Sequence, residues 1–413
     1  MSGQERILGI DFGTSNTAAA VLTPDGVHRI ALEPGEETLP TAVFFDFDAQ
    51  DMLIGRAAAQ AMIEGRDGRF MRALKSILGT TLAREKRQFL NERLTLIEVI
   101  GRFLRDIRLR AEAETGQRFT RALSGRPVRF HSASETRNAQ ALEDLRAAYA
   151  LAGFEAVEFL PEPEAAAFAA SHGEQDKERL LIVDIGGGTS DFTVCERAGG
   201  ETRIIASAGI RLGGTDFDRM LSLAHAMPLF GHGAKIGNLL GEGSHTAPRA
   251  LFHDLASWEK IAFVYGRATL EEVRRWERLA EDPVLFERLG HILEMHLGHD
   301  VAYAVEAGKI AANRASAGMI DLSVVEKGLR AEIANHALQA ALFESAGEIA
   351  ACAGDVLSQA GCAPEAIDRV VFVGGSSLLG VVQARIGAMF PAARLETSEV
   401  FTAVVDGLAL AAG

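Results

Sequence analysis

An α/β fold built as two similar halves is what this sequence predicts, and three observations carry that expectation. Ile7–Ile10 is a short apolar run leading into Asp11-Phe-Gly-Thr-Ser-Asn16, after which Thr17–Leu22 is largely apolar again. Two such runs joined across a glycine-containing turn describe a β-hairpin. Leu180–Val183, Asp184-Ile-Gly-Gly-Gly-Thr-Ser-Asp191 and Phe192–Cys195 repeat the plan. Near the end, Val370-Val-Phe-Val-Gly-Gly-Ser-Ser377 is a third strand that runs into glycines. A hairpin repeated with an acid at the same offset implies two similar halves facing each other across a cleft.

Helices fill the intervals, which sets the class as α/β. Thr95-Leu-Ile-Glu98 reads as a capping box, with Ile97, Ile100, Leu104, Ile107 and Ala111 on the inward face. Ser132-Ala-Ser-Glu135 resembles a second box, followed by Ala139, Leu142, Leu145, Tyr149 and Ala152 on one face and a stop at Gly153. A third helix is expected from Thr269, with Glu272 three residues on. Gly231–His245 lacks periodicity and reads as a loop. The stretches of about 40–125 and 226–314 lack the Gly-Thr signals and read as insertions into halves spanning 1–178 and 179–413.

The chain has 413 residues, 48% hydrophobic and 24% charged, with 42 Lys+Arg against 56 Asp+Glu for a net −14. That acidity argues against general nucleic-acid binding, because the phosphate backbone would be repelled. Three cysteines, Cys195, Cys352 and Cys362, form neither a disulfide framework nor a zinc motif. No apolar run of about 18 residues is present, so no membrane contact is expected and the cytoplasm is the expected location.

The paired turns suggest phosphate chemistry. Glycines leave successive backbone N–H groups unblocked, which makes a concave anion site, and Thr14 and Thr189 add hydroxyls at the same turns. Asp11 and Asp184 end their strands, where two carboxylates suit a hydrated Mg²⁺ between opposed loops. One such turn alone is more often an ordinary hairpin; two with matching acids are not.

These residues resemble the actin-like ATPase superfamily, which includes sugar kinases, actin, bacterial shape filaments and the seventy-kilodalton heat shock chaperones. Asp11–Asn16 resembles its first phosphate motif, Asp184–Asp191 its second, Leu160-Pro-Glu-Pro-Glu-Ala-Ala-Ala167 its connecting motif and Val373–Ser377 its adenosine motif. Gly213-Gly-Thr-Asp-Phe-Asp218 is similar to a further segment of the chaperone and filament branches, and Leu74-Lys-Ser-Ile-Leu-Gly79 favours the chaperones. The resemblance implies an actin-like fold of two lobes, each with an inserted subdomain, that binds ATP or ADP with Mg²⁺ in the cleft and hydrolyses ATP. It assigns Gly13, Thr14, Ser15, Asn16, Gly186, Gly187, Gly188, Thr189, Gly213 and Gly214 to the phosphates. Glu306, Lys309, Ile310, Gly374, Gly375, Ser376 and Leu378 fall to the nucleoside. Asp11 and Asp184 would hold the metal through water, with Glu162 behind its water shell, while Lys75 and Asp191 act on the γ-phosphate and the attacking water.

The chain departs from the chaperone pattern at Ile310 and Leu378, where arginines are expected, and at Phe401, where an acid is expected. Aliphatic side chains there remove cation–π support for adenine. After the module's last helix the sequence reaches Gly413, so the reading expects no peptide-binding domain following it and a place in a short, stand-alone branch. A protein client or regulator is the expected partner; a filament-forming ATPase and a small-molecule kinase are the rival readings. His296-Leu-Gly-His299 has helical i,i+3 spacing but no metal-site context, and Trp258 and Trp276 read as packing residues on amphipathic helices.

Overall fold

A computed structural model describes residues 6–169, 177–199, 201–238, 242–397 and 402–413. Phe401 lies outside the described residues. The chain divides into two compact units, Met1–Gly214 with Ser345–Gly413, and Thr215–Glu344.

The first unit holds two sheets of the same design. Strands β1 (Leu8–Phe12), β2 (Asn16–Thr23), β3 (Gly26–Arg29), β4 (Thr38–Pro40), β5 (Arg121–Arg126) and β6 (Ala156–Pro161) make one, in the order β6-β5-β1-β2-β3 with β4 also on β2. The other contains β7 (Glu178–Ile185), β8 (Ser190–Ala198), β9 (Glu201–Ile210), β10 (Arg369–Val373) and β11 (Arg394–Thr397), in the order β9-β8-β7-β10-β11. In each, an antiparallel meander of three strands is extended by two parallel strands on the side of its first strand. Parallel strands need crossover helices, which here bury the sheet faces. Helix α1 (Leu96–Thr115) starts at the Thr95–Glu98 capping box and ends at Gly116, whose φ of 65° only glycine adopts at little cost. Helices α2 (Glu135–Leu151) and α3 (Glu162–Ala169) follow, then α4 (Asn335–Ala360), which belongs to this unit from Ser345 on, and α5 (Ala403–Ala411).

Helix α5 crosses α3 so closely that a β-carbon on Gly407 would stand 1.7 Å from the Ala165 carbonyl oxygen. It packs Leu408 and Val404 with Ile182 and Val373 of the second sheet, and Val405 and Ala409 with Ala18 and Ala20 of the first. Arg29 on β3 grips Asp406 of α5 with two hydrogen bonds of 2.8 and 2.6 Å.

The second unit contains helices Arg267–Leu279, Pro283–Glu294 and Gly298–Arg314 among others, and the hairpin Ala317–Asp321/Arg330–Ala334. Among the described residues no helix is long and apolar enough to cross a membrane.

Several local expectations need correction. The cap of α2 is Ser134, which accepts from Arg137 N–H; Ser132 instead accepts from Arg211 N–H. The buried face of α2 is Ala141, Asp144, Leu145, Ala148 and Tyr149, leaving Ala139 exposed and Leu142 half-buried. In α1, Ile97 is likewise only half-buried. The helix expected from Thr269 starts at Arg267. Gly231–His245 is not all loop: Lys235–Gly237 pairs with Ser244–Thr246. Trp258 is buried, but in a turn following the helix Arg249–Leu255. His296 has a φ of 56° and precedes the helix that begins at Gly298, so the two histidines do not share a helix face.

Candidate functional site

The site of the first unit grows from the two hairpins. In β1, Ile10 and Phe12 are fully buried, and strand alternation turns Asp11 to the opposite face, where it keeps some accessible surface. In β7 the same alternation buries Val183 and Ile185 and puts Asp184 on the other side. Each hairpin closes identically: Gly13 N–H donates to Asn16 O at 3.0 Å, and Gly186 N–H to Thr189 O at 3.0 Å. The turns therefore correspond as Thr14-Ser15 to Gly187-Gly188. Thr14 and Thr189 belong to the same pair of turns but not to equivalent positions, since the strand registers align Thr189 with Asn16.

The turns meet tip to tip. A methyl group at Gly187 would stand 2.6 Å from Ser15 Oγ, and one at Gly188 would lie 3.1 Å from Thr14 Oγ1 and 3.2 Å from Ser76 Oγ. Gly213 lies against this tip, its would-be β-carbon 2.7 Å from Gly188 N, while Gly214 N–H donates to Gly186 O at 3.0 Å. Ser190 Oγ donates to Leu212 O at 2.7 Å and holds that segment in place. Gly374, with a φ of 79°, ends β10 so tightly that a β-carbon would be 2.4 Å from Ile185 O and 2.8 Å from Asp184 Oδ1. The following turn, Gly375–Leu378, places Ser376 Oγ 2.4 Å from a would-be β-carbon on Gly214. Leu378 is partly exposed.

Beneath the turns lies a cluster of four acids and one lysine. Lys75 sits in the 3-10 turn Leu74–Ile77 and forms a buried ion pair with Glu162, the first residue of α3. Asp191 Oδ1 accepts from Val128 N–H at 2.7 Å. Burial, then the Glu162 carboxylate, pushes Asp11 up to about 7, with Lys75 pulling the other way. The same two causes push Asp191 up to about 8. Asp184 is raised well above the ordinary range by burial and by Glu162, Asp191 and Asp11. Burial lowers the Lys75 ammonium's pKa, but Glu162 and Asp11 together outweigh it and hold the group above its usual value. The cluster thus sets four acids against one ammonium, with burial the largest influence on the three aspartates.

Such an all-oxygen donor set, short of positive charge, fits Mg²⁺. Among the described residues no three His, Cys, Asp or Glu side chains converge closely enough to hold a bare metal ion.

The structure brings together the predicted residues of the first unit. Glu306, Lys309 and Ile310 belong to the second, on the helix Gly298–Arg314. There Lys309 Nζ pairs with Asp218 Oδ1 at 2.6 Å, Trp258 Nε1 donates to Asp218 Oδ2 at 3.2 Å, and Ile310 is largely exposed. Sequence reasoning missed three residues that shape the cluster. Gly209 on β9 makes room for Asp191, whose Oδ1 would be 2.2 Å from a β-carbon there; Gly125 lies close to Glu162, whose Cγ would be 3.2 Å from a β-carbon there; and Val128 supplies the N–H. An isolated glycine within each strand was the available signal.

The chain matches the family model described as Hsp70 protein over residues 7–89 and 82–238. It is 33% identical over 224 residues to the chaperone protein DnaK of Ureaplasma urealyticum serovar 10, a match covering 53% of this chain and 34% of that relative. The chaperone protein DnaK of Ureaplasma parvum serovar 3 matches to the same extent. The match thus spans about a third of the length of these curated relatives.

Proposed function

This chain belongs to the Hsp70 family, which carries the actin-like ATPase fold, and from that premise we propose that the paired turns of its first unit bind the polyphosphate of ATP or ADP with Mg²⁺. We further propose that the chain hydrolyses ATP as a chaperone-type protein acting on a protein client or regulator. The observation that carries the reading is the meeting of two hairpins of identical closure over a cluster of four acids and one lysine.

In this mechanism the N–H groups of the two turns donate to phosphate oxygens, as expected of glycine-rich anion sites. Mg²⁺ held through water by Asp11 and Asp184 would neutralise charge on the phosphate oxygens. Lys75 places its ammonium where charge on the γ-phosphoryl group is stabilised. Glu162 holds that ammonium in place. Asp191, held by the Val128 N–H, helps to orient the attacking water as the bond to the β–γ bridging oxygen breaks. Glu306, Lys309 and Ile310, with Gly374, Gly375, Ser376 and Leu378, complete the reading as nucleoside contacts. The two similar sheets are the proposed cores of lobes 1–178 and 179–413, whose orientation would change when the γ-phosphate leaves.

Thermal melts with Mg-ADP and Mg-ATP test the binding claim. Ligand at about 100 times its Kd should add roughly 2.7 kcal/mol of stability. No shift with either nucleotide at millimolar concentration would remove it, and no phosphate release above a buffer control would remove the hydrolytic claim.

A further inference from the structure

The Lys75 segment is short, strained at its entry and held from outside. It enters through Ala73, at a φ of 58° that a residue with a β-carbon rarely adopts, and leaves through Gly79 at 76°. Gly79 lies so close to the first turn of α2 that a β-carbon would be 2.3 Å from Arg137 O. His131 Nε2 donates to Leu78 O at 2.7 Å. The anchor with most charge behind it is Asp144, only 3% exposed and rooted in the middle of α2. Its Oδ2 accepts Gly79 N–H at 2.9 Å and its Oδ1 accepts Arg84 Nη2 at 2.6 Å. Hydrogen bonds to an ionised group are the strong ones, and this carboxylate serves the loop through both oxygens.

We propose that Asp144 is the positioning residue for Lys75: by fixing Gly79 and Arg84 against α2, it holds the 3-10 turn in the geometry that delivers the Lys75 ammonium to Glu162. Left to itself, a segment with a left-handed alanine at its entry would relax, and the ammonium would leave the acid cluster. The catalytic part of this inference rests on reading Lys75 as the group that acts on the γ-phosphate.

The test is acetic anhydride labelling of the intact chain, read lysine by lysine by mass spectrometry, with buried Lys309 as the internal control. Asp144→Asn should raise the labelling rate of Lys75 by about tenfold, the equivalent of one lost charged hydrogen bond, and leave Lys309 unchanged. ATP hydrolysis by the same variant should fall by about 100-fold, as expected when a catalytic group is displaced, with Mg-ADP affinity maintained. Unchanged Lys75 labelling in a folded variant overturns the proposal. A rise at both lysines means the fold is lost, and Arg84→Gln, at a side chain 46% exposed, then decides by the same criterion. A rise at Lys75 alone with hydrolysis at the parent rate supports the positioning role and overturns the role given to Lys75 itself.

Discussion

The two hairpins are alike in register and unlike in chemistry. Asp11 faces Ala18 across the first, whereas Asp184 faces Asp191 across the second. The first tip carries the side chains of Thr14 and Ser15; the second, at Gly187 and Gly188, carries none. One hairpin thus contributes hydroxyls and a single acid, packed at Ala18 against α5, and the other contributes bare backbone and two acids. The two hairpins share a frame, and the division of labour lies in the residues that do not match. Burial first, then the Glu162 carboxylate, raises the acids of both hairpins, Asp11 to about 7 and Asp191 to about 8, and Asp191 adds to the rise of Asp184 opposite it.

Making the hairpins match should be the most damaging change. Ala18→Asp would put a carboxylate into the apolar contact with Val405 and Ala409, and a buried charge without a partner costs about 3–5 kcal/mol. Urea denaturation measures it; a loss below about 1 kcal/mol would show that the first hairpin tolerates the second's chemistry. Next in size is Lys75→Met, which removes the cation that acts on the acids of both hairpins. Single-turnover hydrolysis should slow by about 100-fold while Mg-ADP binding is nearly unchanged. Gly187→Ala tests the contact between the tips. Its methyl group meets Ser15 Oγ at 2.6 Å, so stability should fall by about 1–3 kcal/mol, and Ser15→Ala in the same chain should restore part of it. Additive effects would mean that the tips do not touch.

The smallest effect is a change of slope. A carboxyl whose folded pKa lies above its unfolded 3.8 gives stability that is complete below that value and is lost as pH rises through the folded pKa. Asp11 and Asp191 should therefore lower the melting temperature of the nucleotide-free protein progressively between 3.8 and about 8. Asp191→Asn keeps an acceptor for Val128 N–H and should flatten the part of that decline nearest 8. Equal slopes for parent and variant would place the Asp191 pKa elsewhere.

Much of this was legible in the sequence, for local reasons. Apolar strands around glycine turns announce themselves, and so does Thr95–Glu98, because the capping box is a four-residue device. The ion pair of Lys75 with Glu162 joins residues 87 apart, so only the family resemblance could put them together. Asp144 was invisible: an acid in an alanine-rich helix looks solvated, and its partners Gly79 and Arg84 lie 65 and 60 residues away. The face of α2 was misread for a related reason, since alanines on several sides of a helix leave the periodicity weak and the start of the helix ambiguous. The strands Lys235–Gly237 and Ser244–Thr246 are too short to show alternation.

Helix α5 has a consequence for how the chain is made. It contributes to the cores of both sheets and ties β3 through Arg29 and Asp406, residues separated by 377 positions. On a ribosome adding roughly 5–20 residues per second, about 20–75 s separate the synthesis of those two residues. During that interval Ala18, Ala20 and the partly apolar faces of β1 and β2 lack the helix that covers them. A folding unit whose last helix finishes its first sheet cannot mature strand by strand, and the nascent chain must be kept from aggregating until that helix arrives.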